Sequence, residues 1–191
     1  MSEPSQLYSR VRLSREKLDA FLASPFPDPG GDEDVLAWLE NASYYGDPYT
    51  PETIRERVVG HATVGDWVNW LMEPALYGIP MPGSNDYDDA KQTWTLAALD
   101  FSENYDDYIA AVAAFREIAN YKDMPGSGGD QGDESNDGLL IYGYLFEGGA
   151  VSVALSIQTG AAEFLDEAQA QPLIIEANAV MEALVASAGP Q

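Results

Sequence analysis

The sequence predicts a single α+β domain over residues 1–191, with a small, mostly antiparallel sheet and helices packed on one face. Three observations predict it. Residues 139–157 read as a hairpin, with strands Leu139–Phe146 and Ala150–Ile157 joined by Glu147-Gly148-Gly149. The whole chain runs in the order strand, several helices, strand, helix, hairpin, helix. Its 191 residues show neither an internal repeat nor a clean linker, as one domain of the usual ~100–200 residues should.

Leu7–Leu13 alternates, with Leu7, Ser9, Val11 and Leu13 on one side and Tyr8, Arg10 and Arg12 on the other, which predicts a strand with a basic outer face. Ser14 then caps a helix with the apolar stripe Leu18, Phe21 and Leu22. The run Pro25-Phe26-Pro27-Asp28-Pro29-Gly30-Gly31 ends it. A second helix spans 32–41, with Asp32, Glu33 and Asp34 at its positive end and Val35, Leu36, Trp38 and Leu39 as apolar positions.

After an aromatic loop, Tyr44 to Tyr49, Thr50 and Pro51 open a helix that ends near Gly60. Thr63 or Val64 opens the next, through Trp67, Trp70, Leu71 and Met72, with Pro74 at its end. Residues 77–89 read as a loop with the acidic tip Asn85-Asp86-Tyr87-Asp88-Asp89. Residues 92–101 read as a strand, and Ser102 as the cap of a helix over 103–121. Beyond the hairpin, a short helix is expected over 161–170 and a terminal one from Pro172, lying on the sheet. The hairpin should present Val151, Val153, Leu155 and Ile157 on one face, and the small residues Ala150, Ser152, Ala154 and Ser156 on the other. Small residues would let a neighbour pack close to the backbone.

Charge is the unusual property. The net value is −23, from 32 acids against nine bases. Residues 1–57 hold six bases and eleven acids; residues 58–191 hold only Lys91, Arg116 and Lys122 against 21 acids. Such a field repels nucleic acid and anionic membranes and favours a basic partner. The absence of cysteine excludes disulfides and thiolate metal sites. The N-terminal MSEPSQLYSRVRLS has no apolar core of a signal peptide and no stretch is long enough to span a bilayer, so a soluble, cytoplasmic protein is expected.

Signatures of chemistry are few. His61 stands between two helices with no nucleophile elbow or cysteine to serve, and reads as a capping or hydrogen-bonding residue. Asp133-x-Ser135-x-Asp137-Gly138 matches the first half of an EF-hand loop, but Tyr144 stands where the bidentate Glu is required. A loose calcium site among Asp130, Asp133, Glu134 and Asp137 is the residual metal reading, and no cofactor is implied. Gly126-Ser127-Gly128-Gly129 lacks the Gly-Lys-Ser/Thr of a phosphate loop and is crowded by aspartates. Asp100 and Glu103, with Trp67, Trp70 and Trp94 to stack sugars, would be the carboxylate pair of a hydrolase.

Three acidic clusters with nearby tyrosines remain. They are Asp86, Tyr87, Asp88 and Asp89; Asp106 and Asp107 beside Tyr105 and Tyr108; and Asp130, Asp133, Glu134 and Asp137 before Tyr142 and Tyr144. Carboxylates around exposed tyrosine suit a basic protein partner, the ring anchoring while the acids steer association. A DNA mimic is an alternative reading of the same charge.

In size, acidity, the missing signal and the style of the clusters (Asp86-Tyr87-Asp88-Asp89, Asp130 to Asp137), the chain resembles the immunity proteins of bacterial toxin systems. That resemblance implies a non-enzymatic inhibitor that covers the basic active site of a cognate toxin and protects the producing cell.

Overall fold

The computed structural model describes residues 5–42, 48–58, 60–73, 83–123, 137–143 and 150–187. They form an α+β fold around one six-stranded sheet in which every pairing is antiparallel. The strands are β1 (Ser5–Arg12), β2 (Gly83–Asp88), β3 (Thr93–Ser102), β4 (Gly138–Gly143), β5 (Ala150–Gln158) and β6 (Ala161–Phe164), in the spatial order β2-β3-β1-β4-β5-β6. The helices are α1 (Arg15–Leu22), α2 (Glu33–Asn41), α3 (Pro51–Arg57), α4 (Val64–Leu71), α5 (Tyr105–Glu117) and α6 (Glu167–Ser187). Short 3₁₀ turns precede α2 (Pro29–Gly31) and extend α5 (Ile118–Tyr121).

The hairpin expected around residues 139–157 is present, with Leu139 opposite Leu155, Leu140 opposite Ala154 and Ile141 opposite Val153. Its turn, Glu147 to Gly149, lies outside the described residues, as do Phe146 and the loop positions Tyr44 to Asp47 and Tyr77 to Pro82. A register shift follows Ile141, where Tyr142 pairs with Val151 and Ser152 is the extra residue. That bulge moves Val151 from the expected Val153–Leu155–Ile157 face to the opposite one.

The expectation of helices on one face needs one addition. Helices α1 to α5 pack on the face bearing Leu7, Val11, Leu96, Leu139 and Leu155; α5 lies on β4, β5 and β6 with α2 and Trp67 of α4 against it, while Phe21 of α1 meets Trp94 of β3 directly. Being central, α5 is buried over its whole middle, Tyr108 to Phe115, rather than along one stripe. Helix α6 covers the other face, where Leu173, Ala177 and Met181 meet Tyr8, Ala97, Leu99, Leu140 and Ala154. The small side chains at 97 and 154 leave the room that α6 fills. The Tyr8–Arg10 side of β1 is therefore not a basic outer surface: Tyr8 is fully buried and Arg10 pairs with Glu176 of α6 at 3.1 Å.

Two further elements differ from expectation. Gly83–Asp88, read as part of a loop over 77–89 with its tip at Asn85 to Asp89, is the edge strand β2, paired with β3 from Gly83–Ala98 to Asp88–Thr93. Residues 161–164, read as the start of a helix, are the opposite edge strand β6, and α6 runs unbroken from Glu167 with Pro172 inside it. Thr50 caps α3 as expected, Thr63 rather than Val64 caps α4, Asp32 is the cap of α2 rather than its first residue, and α5 is capped by Asn104 rather than Ser102. No helix among the described residues is long and apolar enough to cross a membrane.

Candidate functional site

The sheet register places the acidic clusters at opposite ends. Asp88 pairs with Thr93, Thr93 with Arg12, and Arg10 with Gly138, so Asp86–Asp89 and Asp137 share one end. Asp106 and Asp107 follow Ser102 at the far end of β3, about 30 Å away at roughly 3.3 Å per residue. Asp86–Asp89 and Asp106–Asp107 therefore do not merge into one surface.

At the first end, most charges are already answered within the chain. Asp88 accepts from the backbone N–H groups of Ala90 (2.9 Å) and Lys91 (3.1 Å) and pairs with the Lys91 ammonium at 3.3 Å. The Lys91 backbone hydrogen bond leads the effects holding its carboxyl below the usual range. Asp89 pairs with Arg15 at 3.6 Å, and Asp86 accepts from the Ser84 hydroxyl. Tyr87 is not a free anchor: its hydroxyl donates to the Leu13 carbonyl (2.8 Å) and Arg15 lies 3.9 Å over its ring.

Asp137 corrects the expectation most clearly. It is buried, its Oδ2 accepting from Lys122 Nζ at 2.6 Å and from the Arg12 backbone N–H at 2.9 Å. No partner protein can reach it, and neither a partner contact nor the loose calcium site can use that oxygen. Tyr142 is likewise buried under α6. Asp130, Asp133, Glu134 and Tyr144 lie outside the described residues.

At the far end, Asp106 accepts from the Tyr49 hydroxyl at 2.7 Å and sits 3.6 Å from Arg57. Asp107 accepts from the Ser102 hydroxyl at 2.5 Å. Burial pushes the Asp107 carboxyl up, and Asp106 adds to this, against the pull of the Ser102 hydrogen bond and of nearby His61. Tyr108 is buried and bonded to Ser5 at 2.5 Å. Of the tryptophans offered for sugar stacking, Trp67 and Trp94 are core residues against Phe115, leaving only Trp70 exposed.

Carboxylates do converge on a concavity that the sequence did not reveal. A cleft of about 920 Å³ lies between the Pro25–Gly31 segment, the start of α2, the end of α5 and the edge strand β6. Asp28, Asp32, Glu33, Asp34, Glu117 and Glu163 line it, and Arg116 is the only base among the described lining residues. Arg116 is already committed: Nε donates to Asp32 and Nη2 to Asp34, both at 2.6 Å, and Nη1 to the Ala162 carbonyl at 2.7 Å. Burial opposes its charge, but the hydrogen bonds and charges of Asp32 and Asp34 outweigh that, and its pKa is raised. Asp28 is held by Arg55 at 2.8 Å. Glu33 and Glu163 are exposed and form no ion pair among the described residues.

The cleft wall continues into aromatic rings. Phe26, flanked there by Pro25 and Pro27, lies 6.1 Å from His61, which lies 5.4 Å from exposed Trp70. In the sequence, the consecutive acids Asp32 to Asp34 were the one signal for this site. Glu117 and Glu163, more than 80 residues on, reach it only through the fold. No protein-family model matches the chain, and comparison with curated proteins and with solved structures finds no match.

Proposed function

We propose that this is a non-enzymatic acidic binding protein whose partner is a basic protein, and more specifically an immunity protein that neutralises a cognate bacterial toxin by covering its basic active site. The observation that carries the reading is the cleft lined by six carboxylates, of which Arg116 engages Asp32 and Asp34 and Arg55 engages Asp28, leaving Glu33 and Glu163 without an ion pair among the described residues. A concave surface with unspent negative charge and an apolar proline–phenylalanine wall suits lysine and arginine side chains on a protruding segment. The exposed Asp86, Asp88 and Asp89 add to the field that draws such a partner in, though their local contacts make them weaker hydrogen-bond acceptors for it.

The test is co-expression with the toxin encoded beside this gene, scoring growth, with binding kinetics on the purified pair. The reading expects rescue, and an association rate that falls steeply with salt. Glu33→Lys with Glu163→Lys should slow association and weaken rescue. Rescue and binding untouched by that pair, and by reversal of Asp86, Asp88 and Asp89, would overturn the acidic-surface mechanism. A neighbouring product that is no toxin, or that never binds, would overturn the immunity assignment.

A further inference from the structure

Three half-buried aromatic rings of this protein each lie beneath one of its own arginines. Arg15 sits 3.9 Å over Tyr87, Arg57 4.9 Å over Tyr49 and Arg116 5.8 Å over Phe164. A cation over an aromatic face is attracted by the ring quadrupole, and neighbouring carboxylates hold the guanidinium there. Asp89 does so for Arg15, Asp106 for Arg57, and Asp32 with Asp34 for Arg116. Aromatic ring, arginine and carboxylate thus recur as a unit.

Trp70 has two parts of that unit and lacks the third. It is 42% exposed, the most exposed large aromatic side chain described, and no arginine or lysine covers it among the described residues. Asp66 stands four residues before it on α4, and Glu73 three residues after, where the Glu73 N–H still donates to the Trp70 carbonyl at 3.1 Å. Helical spacing puts Asp66 on the indole's side of α4, and Glu73 follows directly on the Met72 C-cap. Asp66 is partly spent on the Thr63 cap, accepting from its N–H at 3.0 Å, whereas Glu73 is exposed and forms no ion pair among the described residues. His61 and Phe26 connect the indole to the acidic cleft.

We infer that Trp70 is the anchor for an arginine side chain of the basic partner, which stacks on the indole beside the cleft, beyond Phe26 and His61, while neighbouring basic residues of the partner enter the cleft. The inference rests on the proposed reading of the cleft as a site for a basic protein. Arginine is favoured over lysine because its planar guanidinium stacks and bonds to a flanking carboxylate at the same time.

The probe is a nona-arginine peptide titrated by calorimetry into the full chain and into Trp70→Phe, Trp70→Leu and Glu33→Lys/Glu163→Lys variants, with thermal melts to confirm folding. Stacking predicts a roughly two- to fivefold loss of affinity for Trp70→Leu, with Trp70→Phe losing less because it keeps a π face. Nona-lysine should show a smaller dependence on Trp70. If Trp70→Leu binds like the parent while the double lysine variant is weakened, the inference is overturned and the acidic cleft stands. If the lysine variant binds like the parent while Trp70→Leu is weakened, stacking stands and the cleft reading fails. Absence of binding by the parent chain overturns both.

Discussion

Lys122 and Asp137 form an ion pair at 2.6 Å with side chains only 1% and 0% exposed. Around it, Lys122 also donates to the Ile157 carbonyl at 2.9 Å, and Asp137 accepts from the Arg12 N–H at 2.9 Å. The pair thus joins the end of the α5 extension to β1, β4 and β5. Removing one partner would leave a buried charge without its counter-charge, so Asp137→Ala or Lys122→Met should cost about 3–5 kcal/mol. Replacing both, as Lys122→Met with Asp137→Leu, should restore most of that loss. Chemical denaturation of the three variants measures it, and a double variant no better than the singles would show that the backbone contacts matter more than the charges.

Beside that pair, Gly138 opens β4 with no space for a side chain. A methyl group there would collide with the Leu155 carbonyl of the paired strand and stand 3.1 Å from Leu173 Cδ2 on α6. Gly138→Ala should therefore destabilise the fold by about 1–3 kcal/mol or more, since backbone must move. The shift in denaturation midpoint reads it directly. An unchanged midpoint would mean that β4 and β5 separate without cost.

The contrast between these strands and the missed ones shows what was legible. A continuous apolar run announced β4 and alternation announced β5, because both strands bury long apolar side chains of their own. In β2, Ser-Asn-Asp-Tyr-Asp has only Tyr87 to send inward; the strand exists through its pairing with β3, a tertiary fact. In β6, Ala161-Ala162-Glu163-Phe164 has helical propensity, which pairing with β5 overrides. The start of α6 does carry a local signal: Asp166 and Gln169 form a reciprocal cap, 2.8 Å and 3.0 Å. Asp137 looked like a solvent-exposed member of an acidic run because its partner, Lys122, is 15 residues away in the chain.

Asp107 gives the fold a pH dependence of defined sign. Its carboxyl is raised, chiefly by burial, with Asp106 adding to this and Ser102 and His61 opposing it. A carboxyl whose folded-state pKa exceeds the unfolded value of about 3.9 binds its proton more tightly when folded. The resulting stabilisation is complete below the unfolded value and is lost as pH rises through the raised one. Asp107→Asn, which keeps an oxygen for the Ser102 hydroxyl, should therefore melt higher than the parent at neutral pH, with the advantage shrinking as pH falls toward ~4. A variant that melts lower at neutral pH would mean that favourable interaction with the α5 N-terminus outweighs desolvation.

Arg116 ties stability and binding together with opposite signs. Its guanidinium spends all three nitrogens on Asp32, Asp34 and the Ala162 carbonyl, and its side chain is 16% exposed. Arg116→Ala removes charge-assisted bonds that link α5 to the start of α2 and to the edge strand β6, and should cost about 2–3 kcal/mol. Arg116→Lys keeps a point charge but not the fork, so its stability should fall between. In the cleft, the same Arg116→Ala change releases two carboxylates from the cation that pairs with them and raises the negative charge that a basic segment meets. Nona-arginine should consequently bind Arg116→Ala more tightly than the parent at a temperature where both are folded, with a steeper salt dependence. Weaker binding by a variant shown to be folded would mean that Arg116 holds the carboxylates in the arrangement the partner needs, and that the lining acts through its shape rather than its net charge.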